Sequence, residues 1–241
     1  MCYSTTLDKE HDEVEARIRR RFKVPLEYRP YYYQSAFNHE NLYIVPQKEK
    51  EEIVPAVWGL VPEYAMKGNI SEFLNKNYTN NARAETIFEK RSYKEFPLTN
   101  RCLILASGFF EPHHLKNTAY PYFCHYTDNS IFCFAGLYSQ IDDEVYSCTI
   151  ITVEANDFFA EVHNKKKRMP LVLDEEFEEE WLRNDLSRPH IEELMRVGFT
   201  TKEFEAYSVT RNLYKPNYER NTPEAIKFVD YSELNQQGSL F

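Results

Sequence analysis

The sequence has 241 residues, which is enough for one large domain or two small ones and enough to bury a substantial core. Its formal net charge of −9 argues against a broad basic surface, so any nucleic-acid site must be a local groove with its own arginines and lysines. Hydrophobic residues at 42% and charged residues at 28% are typical of a soluble globular protein, and the 18 Tyr and 17 Phe favour strands.

The cysteines are five in number and form no C-x-x-C pair, so we expect free thiols rather than a disulfide framework. The adjacent His113 and His114 and the lack of an H-E-x-x-H motif predict no metal site. The N-terminal segment has no apolar stretch that resembles a signal peptide, and no apolar run is long enough to span a membrane. We therefore expect a cytoplasmic protein without a cofactor or a membrane partner.

In chain order, the first predicted element is an amphipathic helix over residues 7–22, where Val14, Ile18 and Phe22 recur every four residues. Residues 29–62 predict short strands broken by prolines. Residues 71–78 predict a short helix that opens at Ser71, and the polar run TNNARAET that follows predicts an exposed or site-lining segment.

The middle of the sequence predicts consecutive antiparallel strands, because alternating aromatic and β-branched residues are separated by turn residues. These strands fall at 101–111, 120–127, 131–139 and 145–153. Helical spacing of apolar residues follows, and residues 202–210 return to a strand pattern. The predicted covering helices lie at 154–163, 174–185 and 188–197. No linker divides the chain, so we expect a single domain over residues 1–241.

Cys2 follows the initiator methionine, and removal of Met1 would leave an α-amine beside a thiol. Their ordinary pKa values, near 8 and near 8.5, make both groups partly nucleophilic at neutral pH. The alternative interpretation is an inert thiol on a frayed terminus.

Two other polar residues follow apolar runs. Glu111 ends the strand pattern SGFFE, where partial burial would raise its pKa toward the range of a general acid, although a surface carboxylate at a hairpin corner is the alternative. His163 follows an apolar helical run and could transfer protons near neutral pH, or it could simply favour a helix C-terminus.

Concentrated positive charge is rare in this acidic sequence. Arg83, Arg168 and the run Lys165, Lys166, Lys167 are candidates for phosphate contacts, while a solvated loop is the alternative for the lysine run. Asn81 would orient a substrate oxygen or merely close a turn.

Taken together, these segments resemble the SOS response-associated peptidase (SRAP) domain family. The resemblance runs in order from Cys2 to about Trp181 and rests on WGLVP at 58–62, NARAET at 81–86, RCLILASGFFE at 101–111, AGLY at 135–138, SCTIIT at 147–152 and HNKKKRMP at 163–170. It implies an α+β fold in which mostly antiparallel strands form an open, barrel-like core with covering helices. It also implies a protein that recognises abasic sites in single-stranded DNA, and we expect this protein to be a monomer.

The resemblance implies covalent chemistry at the processed N-terminus. The α-amine of Cys2 would form a Schiff base with the ring-opened abasic sugar, and the thiol would close a thiazolidine ring. Asn81 would position the sugar, Glu111 would act as general acid or base in opening the ring, and His163 would assist proton transfer. The peptidase activity in the family's name would be release of Met1 from Cys2.

The resemblance also implies a set of DNA contacts. Arg83 would hold the phosphate, Thr152 and Arg168 would support the DNA backbone, and Tyr64 would stack on a base. Two other functions stay open from the sequence alone. One is an N-terminal-nucleophile hydrolase that uses Cys2 on an amide, and the other is a non-catalytic module that binds single-stranded DNA through Arg83 and the 165–168 cluster.

Overall fold

The computed structural model describes residues 2–235, so the expected release of Met1 lies outside the described residues. The strands are β1 (Ser4–Leu7), β2 (Arg21–Phe22), β3 (Tyr31–Ser35), β4 (Asn41–Pro46), β5 (Glu52–Trp58), β6 (Asn81–Arg83), β7 (Arg101–Ala106), β8 (Gly108–Leu115), β9 (Thr118–Tyr126), β10 (Phe132–Asp142), β11 (Val145–Glu154), β12 (Arg168–Pro170), β13 (Val172–Leu173) and β14 (Phe204–Ser208). The helices are α1 (His11–Ile18), α2 (Glu63–Met66), α3 (Ile70–Lys76), α4 (Asp157–Val162), α5 (Glu175–Trp181), α6 (Arg188–Val197) and α7 (Ser232–Asn235).

The core of the fold is a closed barrel of five strands, β4, β5, β7, β10 and β11. Its pairs are antiparallel except for β5 and β11, which run parallel with Trp58 opposite Cys148 and close the ring. The predicted α+β fold with a mostly antiparallel, barrel-like core is therefore confirmed. The closure through a parallel pair was not foreseen from the sequence.

A second sheet lies beside the barrel in the order β14-β9-β8-β1-β3 and is antiparallel throughout. Strand β1 pairs with β8 only through Thr5 and Thr6, opposite Phe109 and Gly108. Strand β8 continues to Leu115 along β9 alone. The N-terminus therefore enters the fold beside the middle of β8, where Glu111 lies.

The helix predicted over residues 7–22 is shorter than expected. Helix α1 ends at Ile18, and Arg19 adopts a left-handed conformation with φ 58°. Phe22 belongs instead to β2, which pairs parallel with β5, and its ring packs on Tyr28 and Tyr43. Burial of Phe22 in this aromatic cluster outweighs its helical spacing.

The other predicted helices are present. Helix α3 begins at Ile70, because the side chain of Asn69 accepts a hydrogen bond from the backbone N–H of Glu72 and caps the first turn. Helices α4, α5 and α6 lie where the apolar spacing predicted them. Within residues 2–235, no helix combines the length and the apolar character needed to cross a membrane. The five cysteines are free and buried, as expected.

Candidate functional site

A cleft of about 610 Å³ opens where the N-terminal segment, β8 and the loop after α4 meet. The residues that line it are Tyr3, Ser4, Tyr33, Ser35, Phe37, Asn38, Phe110, Glu111, Pro112, His114, Ala119, Pro121, His163, Lys165, Lys166, Leu213, Tyr214 and Arg220. Four of the candidate residues from the sequence, Glu111, His163, Lys165 and Lys166, are among them.

Cys2 lies two residues before the start of β1 and is fully buried rather than frayed. Its thiol donates a weak hydrogen bond to the carbonyl oxygen of Ser4 at 3.5 Å, and its own carbonyl oxygen accepts a hydrogen bond from Asn81 Nδ2 at 2.8 Å. Burial raises the pKa of the Cys2 thiol well above its ordinary value, and the nearby charge of Glu111 raises it further. The sulfur is therefore a protonated thiol at neutral pH.

Asn81 is placed by β6, which extends the barrel by pairing parallel with β11, so that Asn81 lies opposite Ile150. The hydroxyl of Tyr93 donates to the carbonyl oxygen of Asn81 at 3.1 Å and fixes the backbone there. Within the described part of the chain, the buried Oδ1 of Asn81 accepts no hydrogen bond. This side chain therefore secures Cys2 through its amide nitrogen and retains an acceptor for a hydroxyl or amine.

Glu111 and His163 form a buried acid and imidazole pair. Oε2 of Glu111 lies 3.1 Å from Nδ1 of His163, and the two residues are 1% and 3% exposed. Burial raises the pKa of Glu111 from 4.5 to about 7, and burial lowers the pKa of His163 from 6.5 to about 4. At neutral pH the imidazole is therefore uncharged, while the carboxyl group is partly protonated.

The tautomer of His163 follows from the second group near its Nδ1 atom, the carbonyl oxygen of Arg168. Nδ1 also lies 3.1 Å from the carbonyl oxygen of Arg168, which can only accept a hydrogen bond. Nδ1 must therefore carry the proton, and Nε2 is the basic nitrogen of the ring.

Two residues that the sequence analysis missed hold His163 against β8. Nδ1 of His113 lies 3.1 Å and 3.2 Å from the carbonyl oxygens of Glu161 and Val162, at the end of α4. Asn164 donates to the carbonyl oxygen of His114 at 2.8 Å and accepts from its N–H at 3.0 Å. The one available signal was the spacing of Glu111 and His113, since alternate residues of a strand share a face.

The residues predicted to contact the DNA backbone differ in their exposure and in their hydrogen-bond partners. Arg168 forms a bidentate ion pair with Glu85 at 2.5 and 3.1 Å, and it also donates to the carbonyl oxygen of Thr152 at 2.7 Å. Thr152 is fully buried, so its side chain supports Arg168 and does not reach the cleft surface. Arg83 is exposed on β6, and its charge acts on both Tyr3 and Glu85.

Tyr64 lies outside the cleft on α2 and is 48% exposed. The guanidinium carbon of Arg91 lies 4.2 Å from the centroid of its ring, and its hydroxyl is 3.2 Å from that of Ser92. At the cleft itself, Tyr3 stacks on Phe37 with ring centroids 5.0 Å apart, and Phe37 is 59% exposed. Neither Tyr3 nor Phe37 was predicted from the sequence to line the site.

The site thus combines a buried N-terminal thiol, an amide that fixes it and an acid of raised pKa beside a neutral imidazole. Within residues 2–235, no cluster of three or more His, Cys, Asp or Glu side chains is arranged to hold a metal ion. The available chemistry is nucleophilic addition assisted by proton transfer.

Comparison with known proteins identifies relatives that span nearly the whole chain. The protein named abasic site processing protein YoqW, from Bacillus subtilis (strain 168), is 30% identical over 233 residues, which span 94% of this chain and 99% of that protein. Abasic site processing protein HMCES from Pongo abelii is 31% identical over 237 residues, which span 82% of this chain and 64% of that protein.

Solved structures share the fold. A crystal structure of a protein from Bacteroides thetaiotaomicron matches with a TM-score of 0.82 and 28% identity, covering 95% of this chain and 100% of that chain. A protein from Bordetella bronchiseptica, 19% identical, matches with a TM-score of 0.69 over 87% of this chain and 100% of that chain. A family model described as SOS response associated peptidase (SRAP) matches residues 1–216. The chain therefore belongs to the SOS response associated peptidase (SRAP) family.

Proposed function

We propose that this protein recognises abasic sites in single-stranded DNA and joins them covalently to Cys2 once Met1 has been removed. The observation that carries the proposal is the buried pair of Glu111 and His163 beside Cys2, with the pKa of the carboxyl group raised to about 7. The names of the relatives, which are abasic site processing proteins, support the same substrate.

The reaction begins at the aldehyde carbon of the ring-opened abasic sugar. The α-amine of Cys2 adds to this carbon, and loss of one water gives an imine. The thiol then adds across the carbon–nitrogen double bond, its proton passes to the nitrogen, and a five-membered thiazolidine ring forms. The reaction needs no oxidant and no activated co-substrate.

Glu111 acts as the general acid. Its raised pKa keeps a fraction of the carboxyl group protonated at neutral pH, so it can donate a proton to the sugar ring oxygen as the ring opens and to the hydroxyl that leaves as water. An exposed carboxylate would be fully ionised at this pH and could only act as a base.

His163 returns the proton. Its Nδ1–H faces Glu111 and the carbonyl oxygen of Arg168, which leaves Nε2 as the acceptor for a proton from the amine or from water. Because burial lowers its pKa to about 4, the ring stays neutral between transfers. The same pair, acting in reverse, would assist hydrolysis of the crosslink.

The remaining predicted residues bind and orient the DNA. Asn81 holds the Cys2 carbonyl oxygen through Nδ2, and its Oδ1 accepts a hydrogen bond from the sugar hydroxyl. Arg83 contacts a phosphate, Arg168 approaches the backbone with Thr152 behind it, and Tyr64 offers an aromatic face outside the cleft.

Intact-protein mass spectrometry tests the proposal. Protein lacking Met1, incubated with a single-stranded oligonucleotide that carries one abasic site, should gain the mass of the oligonucleotide less one water. Cys2→Ser retains the amine and should give only an imine, which borohydride traps and which otherwise hydrolyses. A wild-type protein that lacks Met1 yet forms no adduct with excess DNA would contradict the proposal.

A further inference from the structure

The segment that contains Leu213, Tyr214 and Arg220 contributes to the lining of the cleft, and of these residues only Arg220 lies beyond residue 216, where the match to the family model ends. This segment brings Arg220 to the cleft, while Lys165 and Lys166 line it from the loop after α4. A protein of net charge −9 has thus gathered three cations around one cavity. Such a local concentration of positive charge attracts an anion that enters the cleft.

Arg220 is fixed against the neighbouring sheet by the residue after it. Oδ1 of Asn221 accepts hydrogen bonds from the backbone N–H groups of Tyr32 and Tyr33, at 2.8 and 3.3 Å. These two tyrosines lie on β3, which is the last strand of its sheet. The contact therefore supplies an acceptor for backbone N–H groups of the edge strand β3 and places Arg220 next to Tyr33.

The guanidinium group of Arg220 is oriented by backbone carbonyl groups. Nε donates to the carbonyl oxygen of Leu213 and Nη2 donates to that of Lys215, each at 2.7 Å. Among the residues that the structure describes, its hydrogen-bond partners are these carbonyl oxygens and none is a carboxylate. The full positive charge is thus retained, the side chain is ordered before any ligand arrives, and Nη1 supplies donors for an anion.

The Tyr33 hydroxyl is the second donor at this place. It accepts a hydrogen bond from Ser4 Oγ at 2.7 Å, so its own proton is directed toward another acceptor. Burial raises the pKa of Tyr33, and the charge of Arg220 opposes that rise, which places the two groups within electrostatic reach of each other. Ser4 in turn is two residues from Cys2, so this arrangement lies close to the nucleophile.

We propose that Arg220 and Tyr33 form a phosphate subsite that binds the phosphodiester next to the abasic sugar. The inference rests on the proposed function and adds a contact that positions the strand at Cys2. The guanidinium group supplies charge and the tyrosine supplies a neutral hydrogen bond, a combination that suits one phosphate with two accessible oxygens.

A non-covalent binding assay isolates this subsite from the chemistry. The probe is a single-stranded oligonucleotide with a tetrahydrofuran abasic analogue, which has no aldehyde and forms no crosslink. Arg220→Gln should bind it about tenfold more weakly than wild type at low salt. The slope of log affinity against log salt should fall in magnitude by about 0.7, the value for one phosphate contact on a single strand. Tyr33→Phe should weaken binding without changing the slope.

Lys227→Gln is the matched control, because it removes one positive charge from an exposed site in the same part of the chain without changing a residue that lines the cleft. It should leave the affinity within about twofold of wild type. Arg220→Lys should restore the slope, since the charge returns, while part of the affinity loss remains. Equal slopes for wild type and Arg220→Gln would overturn the subsite.

A second arm alters the DNA and leaves the protein unchanged. A neutral methylphosphonate linkage placed next to the abasic analogue should weaken binding by the wild-type protein. The loss of affinity should be much smaller for Arg220→Gln. An equal loss of affinity for the two proteins would overturn the proposal, even if the variant were partly unfolded. Crosslinking to aldehyde-bearing DNA is measured in parallel. Normal adduct formation with an unaltered salt slope in Arg220→Gln would refute the subsite and leave the proposed function intact.

Discussion

Nδ1 of His163 lies 3.1 Å from Oε2 of Glu111, and both side chains are buried at the base of the cleft. Burial favours the neutral form of each group, so the pair resists forming an ion pair at neutral pH. A carboxyl group that is half protonated near pH 7 beside an uncharged imidazole can both give and receive a proton.

The rate of crosslinking should have a bell-shaped dependence on pH. The α-amine must be deprotonated, which favours pH values toward its ordinary pKa near 8. Glu111 must be protonated to act as an acid, and that fraction falls as pH rises through its pKa of about 7. The maximum should lie between these values, as measured by quenched time courses on denaturing gels. In Glu111→Gln the alkaline limb should vanish and the peak rate should drop about 100-fold. If the alkaline limb were unchanged in this variant, it would have to arise from deprotonation of a group other than Glu111.

Glu111→Gln should also stabilise the protein at neutral pH. Folding raises the pKa of this carboxyl group from 4.5 to about 7. Its burial therefore does not lower the free energy of unfolding below pH 4.5, and it becomes more unfavourable as pH increases between those values. The cost approaches about 3 kcal/mol at pH 7 and above. Thermal melts without DNA should show a higher Tm for the variant at about pH 8, with the difference nearly gone at about pH 5. A Tm below that of wild type at the higher pH would contradict the raised pKa.

Asn81→Ala should slow crosslinking by about tenfold, because it removes the 2.8 Å hydrogen bond that fixes the Cys2 carbonyl oxygen. The loss of free energy of unfolding should be about 1 kcal/mol. The matched control is Asn77→Ala, which deletes a side-chain hydrogen bond of the same length to the carbonyl oxygen of Phe73. Single-turnover rates of the control should equal those of wild type. Similar rates for both variants would show that Asn81 does not position Cys2.

Glu85→Gln should tighten binding to single-stranded DNA several-fold. The Glu85 carboxylate neutralises Arg168 through two hydrogen bonds, and its removal leaves the guanidinium charge for a phosphate. The salt slope should steepen by about 0.7, measured with the tetrahydrofuran probe. Glu89→Gln makes the same charge change at an exposed site and should have little effect. Weaker binding by Glu85→Gln would mean that Arg168 needs this partner to be oriented.

The strands between residues 101 and 153 were predictable because their aromatic and β-branched residues alternate over long runs. The parallel pairing of β5 with β11 was not predictable, since the residues it joins, Trp58 and Cys148, are far apart in sequence and neither strand has a local signal for its partner. The helix over 7–22 was predicted too long for a related reason: the apolar spacing continued to Phe22, but an aromatic cluster elsewhere in the chain binds that ring.

The candidate site was predicted through the resemblance to a family and not from spacing, because Cys2, Asn81, Glu111 and His163 come from four distant segments. Residue patterns alone left each of them with an ordinary alternative. Asn164 and Arg220 gave no signal, and His113 gave only its alternate spacing with Glu111, because the hydrogen-bond partners that position these residues are backbone atoms elsewhere in the chain. Such contacts depend on the path of the chain, which single-residue chemistry does not reveal.

The burial of Cys2 has a consequence for its survival in a damaged cell. Oxidants attack the thiolate of an accessible cysteine and convert it to sulfenic and then to irreversible acids. The Cys2 sulfur is fully buried, and burial raises its pKa so that it remains a thiol. Oxidants that attack exposed thiolates would therefore spare the Cys2 sulfur.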